Sequence, residues 1–195
     1  MRRIIHYVIF IILILIPISC SSSSLTIVKL NLPPQQDVSI EVRPFPEADK
    51  LLASRGFEWR GAITDILNKE SGLYTSFDEQ DYTNLRKSLI ESLRESQSFQ
   101  EIYDVHDENE SVSGVRLYLS FDESGVNQTS LVSFCFLNAF AWTEASQDSV
   151  ISKKEIKTKG KSNWSVNGAK NAAITKFIKE IAYLLSTEAK EEGGL

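Results

Sequence analysis

Few residue types that do chemistry occur in this 195-residue chain: two cysteines, Cys20 and Cys135, and two histidines, of which only His106 lies beyond the N-terminal segment. Zinc and copper sites need imidazoles, thiolates and carboxylates to converge, and one histidine without a free cysteine pair predicts neither. Asp104-Val105-His106-Asp107-Glu108-Asn109-Glu110 has the oxygens a calcium ion needs, yet it lacks the glycine and terminal glutamate spacing of an EF-hand. It reads as a solvated acidic loop. A serine nucleophile would require an elbow such as G-x-S-x-G with a histidine to activate it, and neither this nor a phosphate-cradling glycine loop occurs. Carboxylates abound, but no spacing pairs them as acid and base. The sequence therefore predicts no catalytic residue, no cofactor and no metal. Cys135, inside the apolar run Leu131 to Trp142, is expected to be a buried small apolar residue.

Cys20 is a different case, because of what precedes it. Arg2 and Arg3 start the chain, Val8 to Ile16 is unbroken apolar sequence, and Pro17-Ile18-Ser19 leads into the cysteine. This order is that of a secretory signal, and an apolar stretch of about 15 residues is short for a spanning helix. The segment also resembles a bacterial lipoprotein signal, whose short lipobox ends in an acylated cysteine. Ser19 and Cys20 fit that pattern, Ile18 is tolerated, and Pro17 stands where leucine is usual. The resemblance implies cleavage of residues 1–19, palmitate and other acyl chains on Cys20, a lipidated tether over 20–24 and a single domain over 25–195. Ser21 in place of aspartate implies sorting to the outer membrane, with the domain in the periplasm or at the cell surface. Losing Arg2 and Arg3 with the signal moves the formal charge from −5 to −7. An acidic chain without a basic patch interleaved with aromatics excludes nucleic acid as a partner.

The elements that would build such a domain follow from periodicity. Leu25 to Leu32 alternates weakly, predicting a first strand, and Val38, Ile40 and Val42 predict a half-buried one. Residues 47–75 show no clear period and read as an excursion, on which Phe57, Trp59 and Tyr74 form a possible partner surface if exposed. Ser76-Phe77-Asp78-Glu79 has the form of a capping box, and Tyr82, Leu85, Leu89, Ile90 and Leu93 make the apolar stripe of a helix ending near Ser96. A short turn and strand follow over Phe99 to Val105. Val115 to Phe121 alternates into Asp122-Glu123-Ser124-Gly125, a turn composition. Thr129 to Trp142 has little polar face and predicts a strand covered on both sides. Lysines at 153, 154, 157, 159 and 161 mark a solvated edge strand. Ala169 to Glu192 reads as the closing helix, ended by Gly193-Gly194.

This order predicts an α+β two-layer sandwich, a mostly antiparallel sheet with two amphipathic helices on one face. The run Leu85-x-x-Ser88-Leu89 to Ser96-x-Ser98-Phe99-x-x-Ile102, with the closing helix to Leu185, resembles small envelope lipoproteins. These include the lipopolysaccharide-assembly lipoprotein and the curli-secretion and exopolysaccharide-secretion lipoproteins. The pattern spans about two thirds of the domain. It implies a non-enzymatic accessory or binding role, with an unidentified envelope protein or a second copy as partner and the membrane reached through the acyl chains. Two other readings remain open: an envelope hydrolase with unrecognised carboxylate chemistry, and a secretion or pore subunit that inserts the 129–142 hairpin.

Overall fold

The computed structural model describes residues 25–35, 38–45, 73–105, 114–129, 131–144, 152–163 and 165–192. They form an α+β sandwich: strands β1 (Ile40–Val42), β2 (Leu73–Ser76), β3 (Ile102–Asp104), β4 (Val115–Gln128), β5 (Ser133–Glu144) and β6 (Ser152–Ser162) make one sheet, with helices α1 (Glu79–Ser96) and α2 (Val166–Glu192) packed on it. The strand order is β3-β1-β4-β5-β6, with β2 also paired to β4. The long ladders β4-β5, β5-β6 and β2-β4 are antiparallel, while β1 runs parallel to both its neighbours, so the sheet is mixed but mostly antiparallel.

Both helices form as their sequences dictate. Leu85, Leu89, Ile90 and Leu93 of α1 are buried and Tyr82 packs beside them. The cap, however, lies two residues later than the S-x-x-E pattern predicts. Asp78 is the N-cap, its carboxylate accepting from the Asp81 amide at 2.8 Å, and the Asp81 side chain accepts from the Asp78 amide in return. Phe77 is buried in the core and its amide bonds to the Ser124 carbonyl, which holds residues 76 and 77 to the sheet and out of the helix. In α2, Ala169 and Ala173 are small enough to seat the helix against Gly160 of β6. A Cβ at Gly160 would lie 2.0 Å from the Ala169 carbonyl oxygen and 2.4 Å from the Ala173 nitrogen. Beyond them Phe177, Ile178, Ile181 and Leu185 fill the layer between helix and sheet.

Four expectations need correcting. Leu25 to Leu32 is not a strand. It lies across the helix layer, where the Thr26 and Val28 amides donate to the Ser88 and Ser92 hydroxyls of α1 at 3.0 and 2.9 Å. Val28 and Leu30 are buried as the alternation requires, but against helices. β1 is buried on both faces: Ile40 and Val42 lie in the core, and the outward Glu41, with the Arg43 and Arg116 side chains against it, is 0% exposed. Asp122 to Gly125 makes no turn: β4 continues through it with a bulge, the register skipping between Phe121 and Glu123. The extra residue resets the alternation, so Ser124 and Val126 face the helices as Leu117 and Leu119 do. Finally, β5 is covered unequally. Cys135, Leu137, Ala139 and Ala141 are fully buried under the helices, while Phe134, Phe136 and Phe140 on the other face are half-exposed.

Candidate functional site

The outer face of the sheet, away from the helices, is the surface on which contact chemistry can occur. Strand alternation and the β4 bulge assemble it from Glu41 of β1, Tyr103 of β3, Arg116 and Tyr118 of β4, the Phe134–Trp142 row of β5 and the lysines of β6.

At the β1 end the face is closed and charged. The Arg43 guanidinium donates to Glu41 Oε2 at 3.5 Å, and Arg116 Nε lies 3.5 Å from the same oxygen. Arg43 is buried with Glu41. Two cations on one carboxylate in low dielectric hold the outward sides of β1 and β4 together. Next to them the rings of Tyr118 and Trp142 stack with centroids 5.4 Å apart and are buried. At the sheet's edge the Tyr103 hydroxyl donates to the Glu101 carboxylate, which pushes the Tyr103 pKa up chiefly through that bond. An open crevice of about 410 Å³ runs along β3 between Leu93, Arg94, Phe99 and Tyr103.

At the other end, where β5 and β6 begin and finish, the face is half-open and apolar with cations laid over it. Lys159 Nζ stands 4.3 Å from the centroid of Phe134 and 5.1 Å from that of Phe136, and Lys161 Nζ is 6.0 Å from Phe134. Among the described residues neither lysine makes a salt bridge, whereas Lys154 pairs with Glu180 of α2 and Lys157 with Glu155. Asp122, presented at the bulge, is held above the usual carboxylate range by desolvation first and Glu155 second, with Lys157 pulling it back.

Sequence-predicted residues meet mixed outcomes. Cys20, Phe57 and Trp59 lie outside the described residues, as does His106 of the acidic loop. Tyr74 lies in β2 opposite Asn127 of β4, and the partner surface expected from Phe57, Trp59 and Tyr74 falls with Phe57 and Trp59 outside the described residues. Asp104, the first residue of that loop, forms an ion pair with Arg86 of α1 at 2.6 Å. Cys135 is buried with its thiol pushed up to about 12, by burial first, with Lys170 pulling it down and Asp81 pushing it further up. At neutral pH it is a protonated thiol, not a nucleophile. Among the described residues no group of three His, Cys, Asp or Glu is placed to hold a metal ion. No helix of those residues is long and apolar enough to cross a membrane. The Glu41–Arg43–Arg116 cluster was missed from sequence, since Glu41 and Arg43 alternate with apolar residues just as a solvated strand face would. The Phe134–Lys159 arrangement was half visible, as an aromatic side on one strand and lysines on the next.

No protein-family model matches the chain, and no curated protein matches it. Among solved structures, the chain is similar to protein XCC0632 from Xanthomonas campestris, assigned to DUF330, with a TM-score of 0.53 at 12% identity, over 87% of this chain and 96% of that one. A second similarity is to a candidate lipoprotein from Caulobacter crescentus CB15, with a TM-score of 0.37 at 14% identity, over 62% of this chain and 88% of that one. At such identities a likeness speaks for the fold alone, and the first comparison establishes that this α+β sandwich is the fold shared with the Xanthomonas protein.

Proposed function

We propose that the chain is a lipid-anchored accessory lipoprotein of the bacterial envelope, acylated on Cys20, whose domain works by contact and makes no bonds of its own. The observation that carries this reading is the nearness of the cysteine to the fold. Leu25 follows Cys20 by five residues, and from Thr26 onward the chain is bonded to both helices, through Ser88 and through Asn171 Oδ1 at 2.9 Å. An acyl group on Cys20 would therefore hold the whole domain at a membrane with almost no slack, since five residues reach about 17 Å at most. Two or more acyl chains make such attachment stable. The reading extends to the outer membrane through Ser21, and to an assembly or transport system of the lipopolysaccharide, curli or exopolysaccharide kind through the α1–turn–Phe99–β3 pattern. Its partner would be an envelope protein or a second copy.

The test is metabolic labelling with a palmitate analogue in the parent chain and in Cys20→Ala, with membrane fractionation. Label on the parent and none on the variant supports the anchor. Label retained in the variant, or a mature chain free in the aqueous fraction with an unmodified amino end, refutes it.

A further inference from the structure

We propose that the β4–β5 hairpin tip and the adjoining Phe134–Lys159–Lys161 cluster form a contact surface for a bilayer carrying anionic headgroups, so that the domain lies against the membrane by this end. The proposal rests on the anchor reading for the lipid attachment, and its own argument is the convergence of three features on one end of the molecule. The first is apolar exposure. Large hydrophobics are scarce on the described surface: Tyr183 at 64%, Leu131 at 63%, Ile27 at 48% and Leu25 at 42% stand out, and of these Leu131 is at the hairpin tip. Leu131 sits between Gln128 and Ser133, where β4 turns into β5, held there by the Thr129 and Val132 bonds. The second is charge. Ser133 pairs with Ser162 and Phe134 with Lys161, so Phe134 and the lysines at 159 and 161 lie immediately behind that tip. In a chain of net negative charge these two ammonium groups, without carboxylate partners among the described residues, complement phosphate.

The third feature is the course of the first described residues. Thr26 is bonded to Asn171, which lies in the same stretch of α2 as Ala169 and Ala173 over Gly160, the residue between Lys159 and Lys161. From Thr26 to Val28 the chain steps from Ser88 to Ser92, away from the first turns of α1. From Val28 back to Thr26 it therefore runs toward the end where α1 and α2 begin, which is the hairpin end. Lys159 holds its ammonium over the Phe134 ring, 4.3 Å from the centroid, on a flexible stem long enough to lift the charge to headgroup depth as the ring enters the interface.

The test uses full-length lipidated protein reconstituted into vesicles of phosphatidylcholine alone, or with about three-tenths phosphatidylglycerol, which raises anionic charge alone. An environment-sensitive dye is placed through Leu131→Cys, or through Lys179→Cys on the exposed side of α2, with the parent chain taken through the same labelling as the blank. Nitroxide-bearing lipid should quench the dye at 131 about threefold more than at 179 in anionic vesicles, and less in neutral ones. Lys159→Glu with Lys161→Glu should bring 131 down to the level of 179 without changing co-flotation. Equal quenching at 131 and 179 in a co-floating protein overturns the proposal and leaves the anchor standing; equal quenching at 131 in neutral and anionic vesicles overturns the headgroup preference. Co-flotation confined to anionic vesicles, with 131 quenched, supports this contact and sinks the anchor. No co-flotation with either sinks both.

Discussion

At the β1 end of the sheet's outer face a carboxylate with 0% exposure lies between two guanidiniums, and at the hairpin end two lysines rest on phenylalanine rings at the surface. Both ends put charge beside aromatics on the same layer. The difference is desolvation. Glu41 has given up water and must keep its cations, so the cluster is a commitment of the fold, whereas Lys159 and Lys161 keep water and remain available to a partner. Substitutions should separate the two cleanly. Glu41→Leu leaves Arg43 buried beside an apolar side chain and is expected to destabilise the domain by about 3–5 kcal/mol. Urea unfolding followed by tryptophan fluorescence measures it, and a loss below about 1 kcal/mol would mean that the two ends are not different in kind.

The next effect concerns what supports the hairpin end from the other side of the sheet. Gly160 lies between the two surface lysines and directly beneath α2, where a methyl group would meet backbone at 2.0 and 2.4 Å. No side-chain rotation can relieve that, so Gly160→Ala must lift the helix. Overpacking of this kind costs about 3 kcal/mol. Because the lifted helix carries Asn171, the variant should also loosen Leu25 to Leu30, seen as faster amide exchange at Thr26 and Val28.

How much of this contrast was legible in the sequence depends on whether the signal was period or partner. The stripes Leu85–Leu93 and Ala173–Leu185 and the lysine edge were all readable, since each is a repeat of one element's own geometry, and the α+β sandwich follows from their order. Leu25 to Leu32 shows the limit. Its alternation does report burial of Val28 and Leu30, but alternation is silent on whether a sheet or a helix pair does the burying, and here serine hydroxyls of α1 take the amides a neighbouring strand would take. The Asp122–Gly125 bulge carries turn residues because its backbone departs from the regular strand, and composition alone does not tell a bulge from a reversal. The hairpin-end cluster needed the register itself: only pairing Phe134 with Lys161 and Phe136 with Lys159 brings those side chains together.

If the hairpin-end lysines are surface groups, their loss should cost the fold almost nothing. Lys159→Glu together with Lys161→Glu is expected to shift stability by no more than about 0.5 kcal/mol in the absence of lipid. The cation–ring contacts they give up are exposed ones. A large loss would mean that the lysines hold Phe134 and Phe136 in place and that the face is structural throughout.

The smallest effect tests the ground between the two ends, where Asp122 sits at the bulge near Glu155 and Lys157. Desolvation and the Glu155 charge raise its pKa in the folded state above its ordinary value of 3.8. The folded state thus binds the proton more tightly than the unfolded chain, which is the reverse of a salt-bridged carboxylate. The cost of the ionised form is fully present above the folded-state pKa, shrinks as pH falls through it, and is gone below the unfolded value. Asp122→Asn removes that cost and should stabilise the domain at pH 7 by a few tenths of a kcal/mol, the scale of solvent-screened charges. The gain should disappear in unfolding titrations repeated near pH 3. A gain that persists there would come from packing of the amide at the bulge, and a loss at pH 7 would show that Asp122 is held by Lys157 more than it is opposed by Glu155, making the middle of the face an extension of the ion-paired end.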